Sequence, residues 1–357
     1  MPKKAAACLG ILVGCLWIAS AGFGQIIENP AKPTAKDAGR VLKLTEVWRI
    51  KDEGGEFYFQ YPHNLQVSAD GSIFLTDREE FLKFSPEGQF LKNIYKKGQG
   101  PGEIEDDFMY FICGGDIFIQ DLNSRRFWRA DFDGILQEQV VLKNKDSIVF
   151  IGVAPDGFLF LKVVWPPRSD WTGKLVEVLH VIDFVAKDGS EIRDIATFKP
   201  KSFLSPQSAT SWDSRVTALS PDGKLLYAFH GRDYRIEIVD LTGGANVRRF
   251  RRTYPKVPYV ERGWEANFRK KSGAPKIEYE ADVRGLYPFG NRVWVETSTD
   301  DKTKGRLIDV FDKEGRFVDS FYLGAGRALM AVREGFVFTQ EKAVDETITI
   351  VKYRVDR

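Results

Sequence analysis

The sequence predicts an all-β fold, a six-bladed β-propeller with four-stranded blades, and three observations carry that expectation. Gly-containing turns recur at Asp70-Gly71, Gly114-Gly115, Asp156-Gly157, Asp222-Gly223, Gly290-Asn291 and Glu334-Gly335. Taken at positions 71, 115, 157, 223, 290 and 335, their spacings are 44, 42, 66, 67 and 45 residues, against roughly 40–50 for a propeller blade. Between the turns run β-branched and aromatic stretches, and helical periodicity is nearly absent. The last repeat ends one strand short, while an orphan strand at 41–50 precedes the first.

In the first repeat, Leu65–Ser68 supplies the innermost strand, followed by Ile73–Thr76, Phe81–Ser85, the turn Pro86-Glu87-Gly88 and an outer strand Phe90–Tyr95. The fourth repeat keeps this order in Val216–Ser220, Leu225–Phe229, Arg235–Asp240 and Val247–Thr253. The fifth offers Val293–Thr297, Leu307–Phe311 and Phe317–Tyr322, with a turn at Lys313-Glu314-Gly315. The sixth has Ala328–Val332, Phe336–Gln340 and Thr347–Val355, and then the chain stops. Strand 41–50 completes that last blade, so hydrogen bonds close the ring where an edge would otherwise stand open. Long segments account for the two wide spacings: 165–173 in the third blade, 200–214 after it, and 254–280 after the fourth, with a short helix expected over 264–271.

The N-terminus reads as an export signal over residues 1–24. Lys3 and Lys4 precede an apolar run from Ala5 to Ala21, and Gly22 and Gly24 supply the small residues before a cut at Gln25. The rival reading is a lipid anchor on Cys15 after Leu12-Val13-Gly14, against which the apolar run continues six residues past Cys15. The run is short for a bilayer span. The expected place of work is therefore periplasmic or extracellular, with a flexible mature lead over 25–40 and a single domain over 41–357. Lys3 and Lys4 are the only charges before Gln25. Without them the 52 Lys and Arg fall to 50, equal to the 50 Asp and Glu, and a neutral exported chain is not a nucleic-acid binder held by phosphates. Cys113 alone survives cleavage, so no internal disulfide forms, and it is expected as a small buried residue at a strand end.

The pattern Pro62, Val67-Ser68-Ala69-Asp70-Gly71-Ser72-Ile73-Phe74 and Phe84-Ser85-Pro86-Glu87-Gly88 resembles NHL-type repeats. The segment Gly98-Gln99-Gly100-Pro101-Gly102-Glu103 is similar to the loop between the first two blades of a bacterial family of exported six-bladed β-propellers. The resemblance extends over about 41–355 and implies the fold. That family has no settled activity, so it implies no reaction.

Loops joining second to third strands, and one blade to the next, share a face in a propeller, and every long segment falls there. Four of the seven Trp residues after Gln25 lie in them: Trp165, Trp171, Trp212 and Trp264. Aromatic residues in long loops either pin the loop or recognise a ligand. Arg168 sits beside Trp171, and Arg215, Arg284 and Arg327 open inner strands; converging guanidinium groups would favour a carboxylate or an acidic sugar, but scattered loop salt bridges are the preferred reading of the three. His63 with Asn64 precedes the first inner strand near the channel mouth, but the aligned positions (Val149, Arg215, Val283 or Arg284) provide no further metal ligands. His230, in a loop with Asp233 close behind, could be an oriented base but has no recognisable nucleophile. His180 reads as a strand residue. The Gly98–Glu103 loop is a structural turn, since Pro101 removes a donor and no Lys-Ser/Thr follows. The run Arg248-Arg249-Phe250-Arg251-Arg252 reads as a solvated outer strand whose charges discourage edge pairing.

The expected function is a non-enzymatic binding module. It would recognise a small molecule, glycan, peptide or envelope protein through His63, Asn64, Trp165, Arg168, Trp171, Trp212, Arg215, His230, Trp264 and Arg284. No cofactor is required. The alternative is a hydrolase or lyase with calcium or zinc at the channel mouth.

Overall fold

The computed structural model describes residues 26–51, 55–124, 126–140, 148–188, 190–242, 247–343 and 345–356. The expected signal, its cleavage point and the Cys15 anchor lie outside them. Among the described residues, six antiparallel four-stranded units form the blades. Blade 1 spans 62–93, blade 2 108–140, blade 3 148–198, blade 4 214–252 and blade 5 283–322. Blade 6 takes three strands from 327–355 and its fourth from Leu44–Ile50, which pairs antiparallel with Ile348–Val355. The innermost strands neighbour one another in chain order, and that of blade 6 returns to that of blade 1. The ring is closed as the orphan strand implied.

Six apolar clusters fill the six interfaces between blades. Phe74, Phe81 and Tyr110 join blades 1 and 2, and Phe127, Phe150 and Phe158 join 2 and 3. Leu159, Ile182 and Leu226 join 3 and 4, and Phe229, Phe250 and Phe311 join 4 and 5. Trp294, Phe321 and Val337 join 5 and 6, and Phe338 with Leu75 and Phe84 joins 6 back to 1. Middle strands are thus covered on both faces. That is why Ile73–Asp77 is buried throughout with no alternation of apolar and polar residues.

Local chemistry sets the hairpins. Ser85-Pro86-Glu87-Gly88, Ser220-Pro221-Asp222-Gly223 and Asp312-Lys313-Glu314-Gly315 each form the same turn, with the glycine amide donating to the carbonyl of the first residue at 2.8–2.9 Å. In the last of these, Asp312 Oδ1 also accepts the amides of Glu314 and Arg316. Gly315 has φ 88°, and a Cβ there would lie 2.8 Å from the Phe250 ring, so conformation and packing both require glycine.

Four expectations are corrected. The flexible lead over 25–40 instead carries short strands along the blade rims: Ile26–Asn29 adds in parallel to the outer strand of blade 4, and Arg40–Val41 to that of blade 5. Ile27 packs on the cluster between blades 4 and 5, and Asn29 bonds Gly315 O and the Phe317 amide, so burial and backbone pairing hold the segment. The run 248–252 is not simply solvated. It is covered by that added strand, Phe250 is buried, and the buried Arg252 pairs with buried Asp309 at 2.6 Å. Cys113 ends its strand but is exposed, with partial burial raising its thiol above the ordinary value. Finally, the segment 200–214 is not a plain loop, and a strand follows directly after 165–173. Lys174–Glu177, Lys201–Leu204 and Ala209–Ser211 pair into a three-stranded sheet with Phe203 and Leu204 buried.

The Gly98–Glu103 loop is the structural turn expected. Its carbonyls converge on a cation of the protein itself: Arg126 donates to Gln99 O and Gly100 O at 2.8 Å and to Glu103 O at 2.9 Å. A phosphate cradle needs converging amides. The helix expected at 264–271 is present as Gly263–Ser272, with no buried residue.

Candidate functional site

The three long segments meet over the inner strands of blades 4 and 5 and enclose a cleft of about 660 Å³. Trp165, Trp212, Arg215 and Arg284 line it, together with His180, Lys201, Tyr259 and Glu280. Arg215 lies in the innermost strand of blade 4, directly across from His230. Among the described residues its guanidinium has neither an ion pair nor a hydrogen bond, and burial lowers its pKa from the ordinary value. Arg284 is partly neutralised by Glu280 at 3.5 Å. Arg327 does not join them: it pairs with Glu341 at 3.2 Å and lies 4.5 Å from the centre of the Tyr353 ring.

His180 forms one wall. It is buried in the third strand of blade 3, opposite Val163, and its Nδ1 has no partner. Burial, and then Arg215, lowers its pKa to about 4. His230 stands edge-on to it, with ring centres 5.7 Å apart, and stacks on Phe198 at 4.0 Å. Neither His230 nitrogen has a partner, and burial, with smaller contributions from His180 and Arg215, lowers its pKa to about 3. Both imidazoles are neutral near pH 7. His230 lies in strand Leu225–Gly231 and not in a loop, while Asp233 is turned to Lys256 at 2.6 Å. The pairing of His230 with Asp233 does not form.

The remaining candidates lie elsewhere. His63 is exposed on blade 1, with Nδ1 2.9 Å from Tyr61 O. Asn64 takes φ 51° where the strand register shifts, and its Oδ1 accepts from Gln66. Trp171 is buried, donates to Pro166 O at 3.1 Å and lies 3.7 Å beneath the Arg168 guanidinium, so it pins its loop. Trp165 is 5.8 Å from it and 42% exposed. Trp264 stands 64% exposed on the helix, outside the cleft. Among the described residues no three His, Cys, Asp or Glu side chains gather to hold a metal ion, and no helix is long and apolar enough to cross a membrane. Sequence reasoning took His180 only as a strand residue, although two ionisable residues, His180 and Asp183, inside the otherwise apolar run Val178–Phe184 were a visible signal.

This architecture has counterparts among solved structures. A Bacteroides fragilis protein described as exported superposes with a TM-score of 0.53 and 12% identity, covering 93% of this chain and 100% of its own. A member of the DUF4221 family from Bacteroides vulgatus gives 0.55 and 10%, covering 89% and 99%. A gluconolactonase from Xanthomonas campestris scores 0.49 at 14% identity, covering 91% and 98%. No family model matches the sequence, and no curated protein matches it. At these identities the likeness is one of fold. The chain is a β-propeller, and its cleft residues must speak for themselves.

Proposed function

We propose that this is an exported, non-enzymatic binding propeller of the NHL-like kind, which takes a carboxylate-bearing small molecule at the cleft over blades 4 and 5. The observation that carries this reading is Arg215, a guanidinium without a counter-charge among the described residues, set in a cleft where burial already disfavours its charge. An arriving carboxylate would supply the missing partner in the two-pronged geometry that a guanidinium offers. Trp165 and Trp212 flank it with flat apolar surface for the body of the ligand. Export rests on Lys3, Lys4, the apolar run and the Gly22–Gly24 junction.

Titration calorimetry of the mature chain with glucuronate tests the reading. Saturable binding is expected. Arg215→Ala should weaken it about 10- to 100-fold, the equivalent of one charge-assisted hydrogen bond of about 1.5–3 kcal/mol. Arg215→Lys should recover part of the loss. No binding, or equal affinity in the alanine variant, overturns the proposal.

A further inference from the structure

We infer that the ligand is an acidic oligosaccharide laid along two adjoining clefts, a conclusion that rests on reading Arg215 as an anion site. The second cleft, about 840 Å³, shares Lys201, Trp212, Asp213, Arg232 and Glu280 with the first. Arg232 marks the junction. It donates to Trp212 O at 2.7 Å and to Tyr279 O, and its guanidinium lies 5.9 Å from the Trp212 ring centre. Among the described residues Arg232 pairs with no carboxylate, and neither do Lys201 at the junction or Lys199 and Lys276 beyond it. The acids of the second cleft are mostly spent: Asp233 and Asp282 both hold Lys256, and Glu28 holds Arg251. Glu280 faces Arg284, while Asp213 accepts only the backbone amide of Lys201, which leaves Asp213 and Glu278 as carboxylates without a cation among the described residues. Cations without a direct carboxylate partner therefore continue from Arg215 through Arg232 into the second cleft, although the chain after Gln25 is neutral overall.

A row of anions spaced along an aromatic surface fits this groove. Trp212 is common to both clefts, Trp165 lines the first, and Tyr279, 45% exposed, lines the second. Flat apolar rings suit the C–H faces of pyranoses, and the cations suit the carboxylates of uronic acid units. An extended peptide instead draws affinity from a free sheet edge. The strand of blade 4 that borders the second cleft through Arg251 and Arg252 is already paired with Ile26–Asn29.

The test is calorimetry of the mature chain with mono-, di-, tri- and tetragalacturonate, with neutral cello-oligosaccharides and short polyglutamate as controls. Affinity should rise at least tenfold from monomer to trimer. The surface variant Lys199→Gln/Lys276→Gln should remove that gain and leave monomer affinity within threefold, with its fold checked by circular dichroism. Monomer binding that depends on Arg215 but does not grow with length overturns the oligosaccharide and leaves the carboxylate site standing. Absence of binding at every length overturns both. Cello-oligosaccharides binding as tightly, or polyglutamate showing the same lysine-dependent gain, overturns the acidic-sugar assignment.

Discussion

Arg252 and His230 both belong to blade 4, in its fourth and second strands, but meet burial in opposite ways. Arg252 keeps its charge: Asp309 accepts from Nε at 2.8 Å, Tyr234 donates to the same carboxylate, and the rings of Tyr234, Tyr254 and Phe317 surround the guanidinium at about 5 Å. Removing one partner of such a pair would strand the other, at a cost of about 3–5 kcal/mol. His230 has no counter-charge and stays neutral, as does His180. Both have folded pKa values, about 3 and about 4, below the ordinary 6.5. Below pH 6.5 the unfolded chain therefore binds more protons than the folded one, and stability falls until the pH reaches the folded values. Phenylalanine can keep the stack on Phe198 without titrating. His230→Phe should therefore flatten the decline between pH 6.5 and 4 in urea melts; an unaltered slope would show that His230 is not buried neutral. Asp183, raised to about 6 mainly by burial, acts in the opposite sense over the same range, but it is common to both proteins and cancels in the comparison.

Elements divide by how local their cause is. The repeated turn ending in glycine was legible because a side-chain oxygen, a glycine and the next strand lie within five residues. The closing strand was legible because its absence from the last repeat and its surplus at the first could be seen together. The strands at 26–29 and 40–41 escaped notice because they add to edges more than 200 residues away, with no pattern of their own. The small sheet escaped because its strands, Lys174–Glu177, Lys201–Leu204 and Ala209–Ser211, are too short to carry a pattern of their own. Consequences differ along the N-terminal segment. Ile50 is buried in the cluster joining blades 6 and 1, and Trp48 donates to Pro86 O at 2.9 Å. Deleting 25–50 should collapse the thermal midpoint, whereas deleting 25–39 should lower it by only a few degrees. Equal midpoints for the longer deletion and the intact chain would contradict closure by Leu44–Ile50.

At the scale of the whole molecule, each apolar cluster belongs to two blades, so no blade can leave without opening two interfaces. One unfolding transition is expected, with circular dichroism and tryptophan fluorescence coinciding in urea; separated midpoints would show that groups of blades unfold independently. The sequence alone determined the class of fold, the order of strands and the means of closure, because turns and apolar runs act between near neighbours and repeat. Only the tertiary structure decided what the repeats surround. Trp165, His180, Trp212, Arg215 and Arg284 come from three blades and their connections, and they share a cleft once the ring has brought blades 3, 4 and 5 side by side. Whether an arginine there is neutralised depended on where carboxylates fell in space. Arg327 and Arg284 found theirs, and Arg215 did not.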